Sequence, residues 1–258
     1  MPHKWGQVLL RDGNMIAKIL RTADVSATDH VVEIGCGDGS LSLPLAETAA
    51  HLDIIEIDPD MVARLTARLD PKLPVSIHQG DILERQFHDV SATPFRIIAN
   101  LPYYITTKII KAMIENRHRI SDAIVMVQDE FAQKLTAVPR TKHYVSLTLY
   151  TSFYFDVKRC FKVPKQCFQP IPKVDSAIIR LMPRLAPFSV DEDQFFTLIR
   201  AGFATRRKRL VNCLMHDSFW AQFDWNNAPM FLKSPNCRAE ELDLNGFYEL
   251  YRYAIPSD

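Results

Sequence analysis

The chain has 258 residues, of which 47% are hydrophobic and 24% charged, with a formal net charge of +1. That balance suffices for one large domain, or a large and a small one. It excludes a disordered polyelectrolyte and a protein that holds nucleic acid through overall charge.

Strand-like and helix-like segments alternate over the first two-thirds. Val31–Ile34 is a short apolar run that ends in glycines, and residues 40–50 follow with apolar side chains at helical spacing. Asp53–Ile57 predicts a second strand and Pro59–Leu69 a second helix, with Pro59 suited to a first helical turn. Val75–His78, Phe95–Ala99 and Ala123–Val127 predict three more strands, and Thr106–Glu115 a helix. Leu147–Phe155 and Ala177–Leu181 are rich in β-formers and predict two further strands. Such alternation means an α/β domain with a mostly parallel sheet covered on both faces. Beyond Pro183 the strands stop. Asp191–His216 and residues 239–254 carry apolar side chains at helical intervals. The expected organisation is therefore a catalytic domain over 1–185 and a small helical domain over 186–258.

Charge is clustered rather than abundant. Lys158–Arg184 holds seven Lys/Arg and one acid, and Arg200–Arg209 holds five Lys/Arg and no acid. Such patches suit a phosphate backbone, or else form solvated faces. The five cysteines are scattered without CxxC spacing, which argues against a disulfide framework and against a zinc site. No apolar stretch reaches membrane length and no signal-peptide core opens the chain, so a soluble cytoplasmic protein without a metal is expected.

The chemistry-bearing segments sit at strand ends. Asn100-Leu101-Pro102-Tyr103 follows the apolar run Phe95–Ala99. Asn100 offers an amide oxygen, Pro102 holds Leu101 extended, and Tyr103 offers an aromatic face, a combination suited to gripping the exocyclic amine of a base. A strand-ending turn with a core tyrosine is the plainer alternative. Glu33-Ile34-Gly35-Cys36-Gly37-Asp38-Gly39 closes the first strand with GxGxG spacing, which differs from the dinucleotide fingerprint. Glu56 and Asp81 lie at the ends of the next two strands, placed to accept from ribose hydroxyls and an adenine amine, unless they only cap helices. With no phosphate-binding GxxxxGK[ST] loop, the set points to S-adenosylmethionine rather than ATP or NAD.

Together with Trp5-Gly6-Gln7-Val8-Leu9-Leu10 and Phe168-Gln169-Pro170-Ile171-Pro172-Lys173-Val174-Asp175-Ser176, these segments give the chain its family likeness. It resembles the ribosomal RNA adenine N6,N6-dimethyltransferases, which include KsgA-type small-subunit enzymes and the erythromycin-resistance methylases. The resemblance implies a class I S-adenosylmethionine-dependent methyltransferase, with a Rossmann-like, mostly parallel seven-stranded sheet. It implies cofactor contacts at Val8, Leu10, Gly35, Gly37, Glu56, Asp81, Ile82 and Asn100, although the family usually carries Asn or His at the place of Val8. It implies an adenine pocket formed by Asn100, Leu101, Pro102 and Tyr103, with Phe168 on the second face of the base unless Phe168 is a core aromatic. Arg206-Arg207-Lys208-Arg209 looks like part of a helix of the KsgA type, and with Lys165 and Lys173 forms the candidate RNA contacts. The expected substrate is a pair of adjacent adenosines near the 3′ end of 16S rRNA, within the 30S subunit or its precursor, met by a monomer. The alternatives are a 23S enzyme of the macrolide-resistance type and a non-catalytic ribosome assembly factor.

Overall fold

A computed structural model describes residues 8–85, 87, 90 and 94–256. Trp5, Gly6 and Gln7 of the first motif lie outside the described residues. The chain forms two compact units. One takes the chain up to Ala132 together with Phe155–Pro183, and the other takes Gln133–Tyr154 and everything from Arg184 onward. A single cut near residue 185 therefore misses one feature: 133–154 groups with the C-terminal residues.

The first unit is built on a seven-stranded sheet. In chain order its described elements are β1 (Leu9–Leu10), α1 (Gly13–Ala23), β2 (His30–Ile34), α2 (Ser42–Thr48), β3 (His51–Glu56), α3 (Pro59–Thr66), β4 (Val75–Gln79) and α4 (Ile82–Arg85). They continue with β5 (Phe95–Asn100), α5 (Thr106–Glu115), β6 (Ile120–Gln128), α6 (Asp129–Leu135, which runs into the second unit), β7 (Phe155–Val163), β8 (Phe168–Gln169) and β9 (Ser176–Pro183), with α7 (Ser146–Tyr154) of the second unit lying between α6 and β7. The strand order is β4-β3-β2-β5-β6-β9-β7. From β4 to β6 all pairs are parallel, while β9 runs antiparallel to β6 and to β7. β1 and β8 form a separate two-stranded ladder.

The apolar runs explain the sheet's position. Ile97, Ile98 and Ala99 of β5 and Ala123 to Val127 of β6 are all buried, as expected of central strands covered on both faces. Local chemistry sets the helix starts. Asp12 accepts from Met15 N at 2.8 Å to cap α1, and Asp58 accepts from Asp60 N at 3.0 Å ahead of Pro59 in α3. The strand order reverses between β2 and β5. Their carboxyl ends therefore flank a crevice, where open α/β sheets bind ligands.

The second unit holds α7, α8 (Glu192–Phe203), α9 (Leu210–Leu214), α10 (Pro229–Lys233) and α11 (Leu244–Ala254). The expected strand over Leu147–Phe155 is instead helix α7 up to Tyr154, and β7 begins at Phe155. Packing overrides β-propensity there. Thr148, Leu149, Thr151, Phe153 and Tyr154 are buried, and Phe153 and Tyr150 meet Phe196 edge-on at 5.2 and 4.7 Å. The Thr148 hydroxyl donates to the Lys134 carbonyl at 2.6 Å. The helical run over Asp191–His216 also breaks in two, because residues 204–209 form a turn between α8 and α9. Arg206–Arg209 thus lie on that turn and not on a helix.

Candidate functional site

A cleft of about 380 Å³ lies at the carboxyl ends of β2, β3 and β5. It brings together Val8, Leu10, Gly35, Gly37, Glu56, Asp81, Ile82, Asn100, Leu101, Pro102 and Tyr103, residues that are dispersed along the sequence. Its floor is the turn after β2. Gly35, Gly37 and Gly39 have φ of +78°, +52° and +83°, a region that side-chain-bearing residues avoid. A Cβ on Gly37 would also stand 3.1 Å from Leu9, so the turn keeps its backbone open to a ligand.

The end of β3 is tied to that turn. Glu56 is 4% exposed, and its Oε2 accepts from Cys36 N at 2.9 Å while its Oε1 accepts from Asp58 N at 2.8 Å. These backbone donors fix the carboxylate's direction and leave each oxygen a further lone pair. Asp81 also has two functions. Its Oδ1 caps α4 by accepting from Leu83 N at 2.9 Å, and its Oδ2 has no partner among the described residues.

The part of the cleft at the end of β5 has a similar division between held and free groups. Leu101 N donates to the Met126 carbonyl at 3.1 Å, which fixes the backbone just past β5. The Asn100 amide has no hydrogen-bond partner among the described residues, and no described backbone N–H donates to the Leu101 carbonyl. Asn100 and Leu101 both line the cleft. The Tyr103 hydroxyl is 2.6 Å from Ser176 Oγ, and burial pushes its pKa up, so the ring is anchored at its rim and stays neutral. Ser176 closes the Phe168–Ser176 block, and this contact supplies a reason for it that sequence reading missed.

Phe168 is not where the adenine sandwich would place it. The side chain is 2% exposed, packs in the core and does not line the cleft. Its strand β8 pairs with β1, Leu10 opposite Phe168, and so positions the Leu9–Leu10 wall. The core-aromatic alternative is the one its burial fits.

Sequence reading also gave no role to Glu33, Asp38 or Tyr104, which line the cleft. The first two stand inside the glycine motif, and alternation along β2 was the available signal for Glu33. Glu33 is fully buried, and burial, with Glu56 and Asp38 nearby, pushes its pKa up to about 8. Asp38 clamps the N-terminal strand: it accepts from Arg11 at 2.5 Å and from Ser40 Oγ at 2.6 Å, and Ser40 Oγ also reaches the Leu10 carbonyl at 3.2 Å. The Cys36 thiol is pushed up by burial, then by Glu56, so it is no nucleophile at neutral pH.

The basic candidates divide by environment. Lys173 is exposed and Lys165 half-buried. Arg207, Lys208 and Arg209 are exposed on the turn. Arg206 differs, because its guanidinium donates to Glu240 Oε2 at 2.6 Å and to the carbonyls of Lys142 and Thr141 at 2.5 and 3.0 Å. Its donors serve the fold of the second unit, which removes it from the free phosphate contacts. No helix among the described residues is long and apolar enough to cross a membrane.

Comparison with known proteins agrees with this geometry. The family described as "Ribosomal RNA adenine dimethylase" matches residues 2–244. The chain is 36% identical to ribosomal RNA small subunit methyltransferase A of Lactococcus lactis, over 98% of this chain and 90% of that one. It is 39% identical to the protein of the same name from Listeria monocytogenes, over 81% of this chain and 74% of that one. Among solved structures it is similar to a dimethyladenosine transferase from Plasmodium falciparum (TM-score 0.75, 28% identity, 94% and 95% covered). It is also similar to the 23S rRNA methyltransferase ErmE (TM-score 0.74, 26% identity, 95% and 99% covered). A match over nearly the whole chain, with the family's strand-end residues gathered in one cleft, makes the conclusion plain: the chain belongs to the ribosomal RNA adenine dimethylase family.

Proposed function

We propose that this S-adenosylmethionine-dependent rRNA adenine methyltransferase dimethylates N6 of two adjacent adenosines near the 3′ end of 16S rRNA. Its partner is the 30S subunit or its precursor, and it works in the cytoplasm as a monomer. One observation carries the reading: Asn100, whose amide has no hydrogen-bond partner among the described residues, and Leu101 line the cleft together with the anchored Tyr103.

The donor set fits the cofactor. Glu56 would accept from the two ribose hydroxyls and Asp81 from the adenine amine, and the glycine turn would allow close backbone approach. When bound, S-adenosylmethionine supplies an electrophilic sulfonium methyl. The substrate amine is a poor nucleophile because its lone pair is delocalised into the ring. Asn100 Oδ1 and the Leu101 carbonyl accept its two N–H bonds, draw the nitrogen towards tetrahedral geometry and aim the lone pair. Tyr103 stacks on the flipped base, worth roughly 1–3 kcal/mol, which offsets the cost of unstacking it. After one transfer a single N–H remains and needs a single acceptor, so the same pair of oxygens serves the second transfer. Positioning does most of the work, and no strong base is needed because the methylated amine is acidic before it loses its proton.

The direct test is labelled methyl transfer to unmethylated 30S and 50S subunits, followed by nucleoside analysis. Label is expected in dimethyladenosine of 16S rRNA. Label in 23S rRNA would establish the macrolide-resistance activity instead, and no label in either would leave an assembly factor.

Arg207, Lys208 and Arg209 act as phosphate contacts in this reading, with Lys165 and Lys173. Changing Arg207, Lys208 and Arg209 together to Gln should lower the slope of log affinity against log salt by about 2–3. Arg206→Gln should instead loosen the second unit and leave the slope nearly unchanged. An unaltered slope in the triple variant would remove the turn from the RNA interface.

A further inference from the structure

Three histidines converge on one buried carboxylate away from the cleft. Strand register places His30 of β2 beside His51 of β3, Asp53 beside Ser76 of β4, and His78 opposite Ile55. Alternation then puts His30, His51, Asp53, Ser76 and His78 on one face of the sheet. Along β3, Asp53 stands roughly 10 Å before Glu56 at ~3.3 Å per residue, so the cluster is separate from the cofactor cleft.

Each ring has a hydrogen-bond partner, and all three gather around one carboxylate. Asp53, with a side chain 5% exposed, has Oδ2 2.5 Å from His30 Nε2 and Oδ1 2.6 Å from His78 Nε2. Those two contacts satisfy both oxygens. His51 Nε2 nevertheless stands 3.7 Å from Oδ1, too long for a hydrogen bond. It is oriented by Ser76 Oγ at 3.0 Å, and its ring lies 5.0 Å from that of His30. One ligand atom each of His30, His51 and Asp53 falls within 4.8 Å of the others.

The geometry points to a divalent metal site of the zinc type, with His30, His51 and Asp53 as ligands and His78 as the donor that orients Asp53. Two imidazoles and a carboxylate are a preferred donor set for Zn²⁺. Ligands about 2.1 Å from a tetrahedral ion lie about 3.4 Å apart; His30 Nε2 is 2.5 Å from Asp53 Oδ2 and His51 Nε2 is 3.7 Å from Oδ1, so binding requires the first contact to open and one carboxylate oxygen to turn between the two rings. Binding needs Nε2 lone pairs on His30 and His51, with their protons on Nδ1 or released to solvent. Water completes the shell through His51, whose side chain is 35% exposed and provides the entry path. The ion joins the starts of β2 and β3 and has no part in methyl transfer. Cysteine spacing, the basis for expecting no metal, carries no information about these positions.

The test is equilibrium dialysis of the untagged chain against Co²⁺, read by its visible absorption, with Zn²⁺ in parallel thermal melts. About one ion per chain is expected, with the intense bands of a four-coordinate ion, and Tm should rise by roughly 5 °C at a hundredfold excess over Kd. The partly exposed His51→Gln should fold normally, weaken binding at least tenfold, and keep wild-type methyl transfer. His30→Gln should do the same and guards against an idiosyncrasy of one position. Retention below about a tenth of an ion by the wild-type chain overturns the site, as does equal binding by wild type and both variants.

Discussion

Asn100→Ala is expected to lower the rate of methyl transfer by roughly a thousandfold or more, while S-adenosylmethionine should bind within a few-fold of the wild-type affinity. The large effect follows from what the amide does. In the proposed mechanism it serves the attacking nitrogen, whereas Glu56, Asp81 and the glycine turn would hold the cofactor through other atoms. The substitution should fold normally, because the amide has no partner among the described residues and the neighbouring Leu101 N–H keeps its bond to Met126. Calorimetry with the cofactor and single-turnover transfer to 30S subunits separate binding from chemistry. Transfer within tenfold of wild type would falsify the assignment of Asn100 as the amine's acceptor. Equal loss of cofactor binding and transfer would make it a cofactor residue only.

Glu33→Gln should flatten the dependence of stability on pH. Burial raises the folded-state pKa of Glu33 from an ordinary 4.5 to about 8. Between those values the folded chain keeps a proton that the unfolded chain has lost. Stability is therefore fully present below about pH 4.5 and falls as pH rises, by about 1.4 kcal/mol per unit, until it levels off above pH 8. Summed over the window the loss is on the order of 5 kcal/mol, an upper figure. Gln has no proton to lose and occupies nearly the same volume. The variant should match wild type near pH 4.5 and exceed it at pH 9, where urea melts are compared. Parallel loss of stability in both proteins would mean that Glu33 is already ionised when folded.

Much of this site is visible in the sequence because each contributor sits at the end of a recognisable strand. The apolar runs before Gly35, Glu56, Asp81 and Asn100 mark β2 to β5, and a parallel sheet gathers their ends at one edge. Helix α7 defeats the same reasoning. Thr148, Tyr150, Thr151 and Phe153 favour a strand locally, and only aromatic contacts with residues some forty positions away decide otherwise. Phe168 illustrates the limit of a motif, which locates a residue along the chain without saying which way it faces. Arg206 shows that a run of like charges need not act as one patch, since Glu240 and two carbonyls engage the first member. The histidine cluster has no motif at all. Its members are brought together by strand register, which no local spacing encodes.

The interrupted second unit sets an order on synthesis. The segment 133–154 leaves the ribosome well before Arg184, yet Phe153 packs against Phe195 and Phe196, and Tyr154 hydrogen-bonds Glu192 at 2.6 Å. Until α8 emerges, those aromatic side chains have no native cover, and a nascent chain in that state is open to aggregation. The same arrangement limits modular exchange. A fragment ending at Pro183 would carry α7 with its aromatic face bared, so grafting a new C-terminal half onto this sheet requires replacing 133–154 along with it.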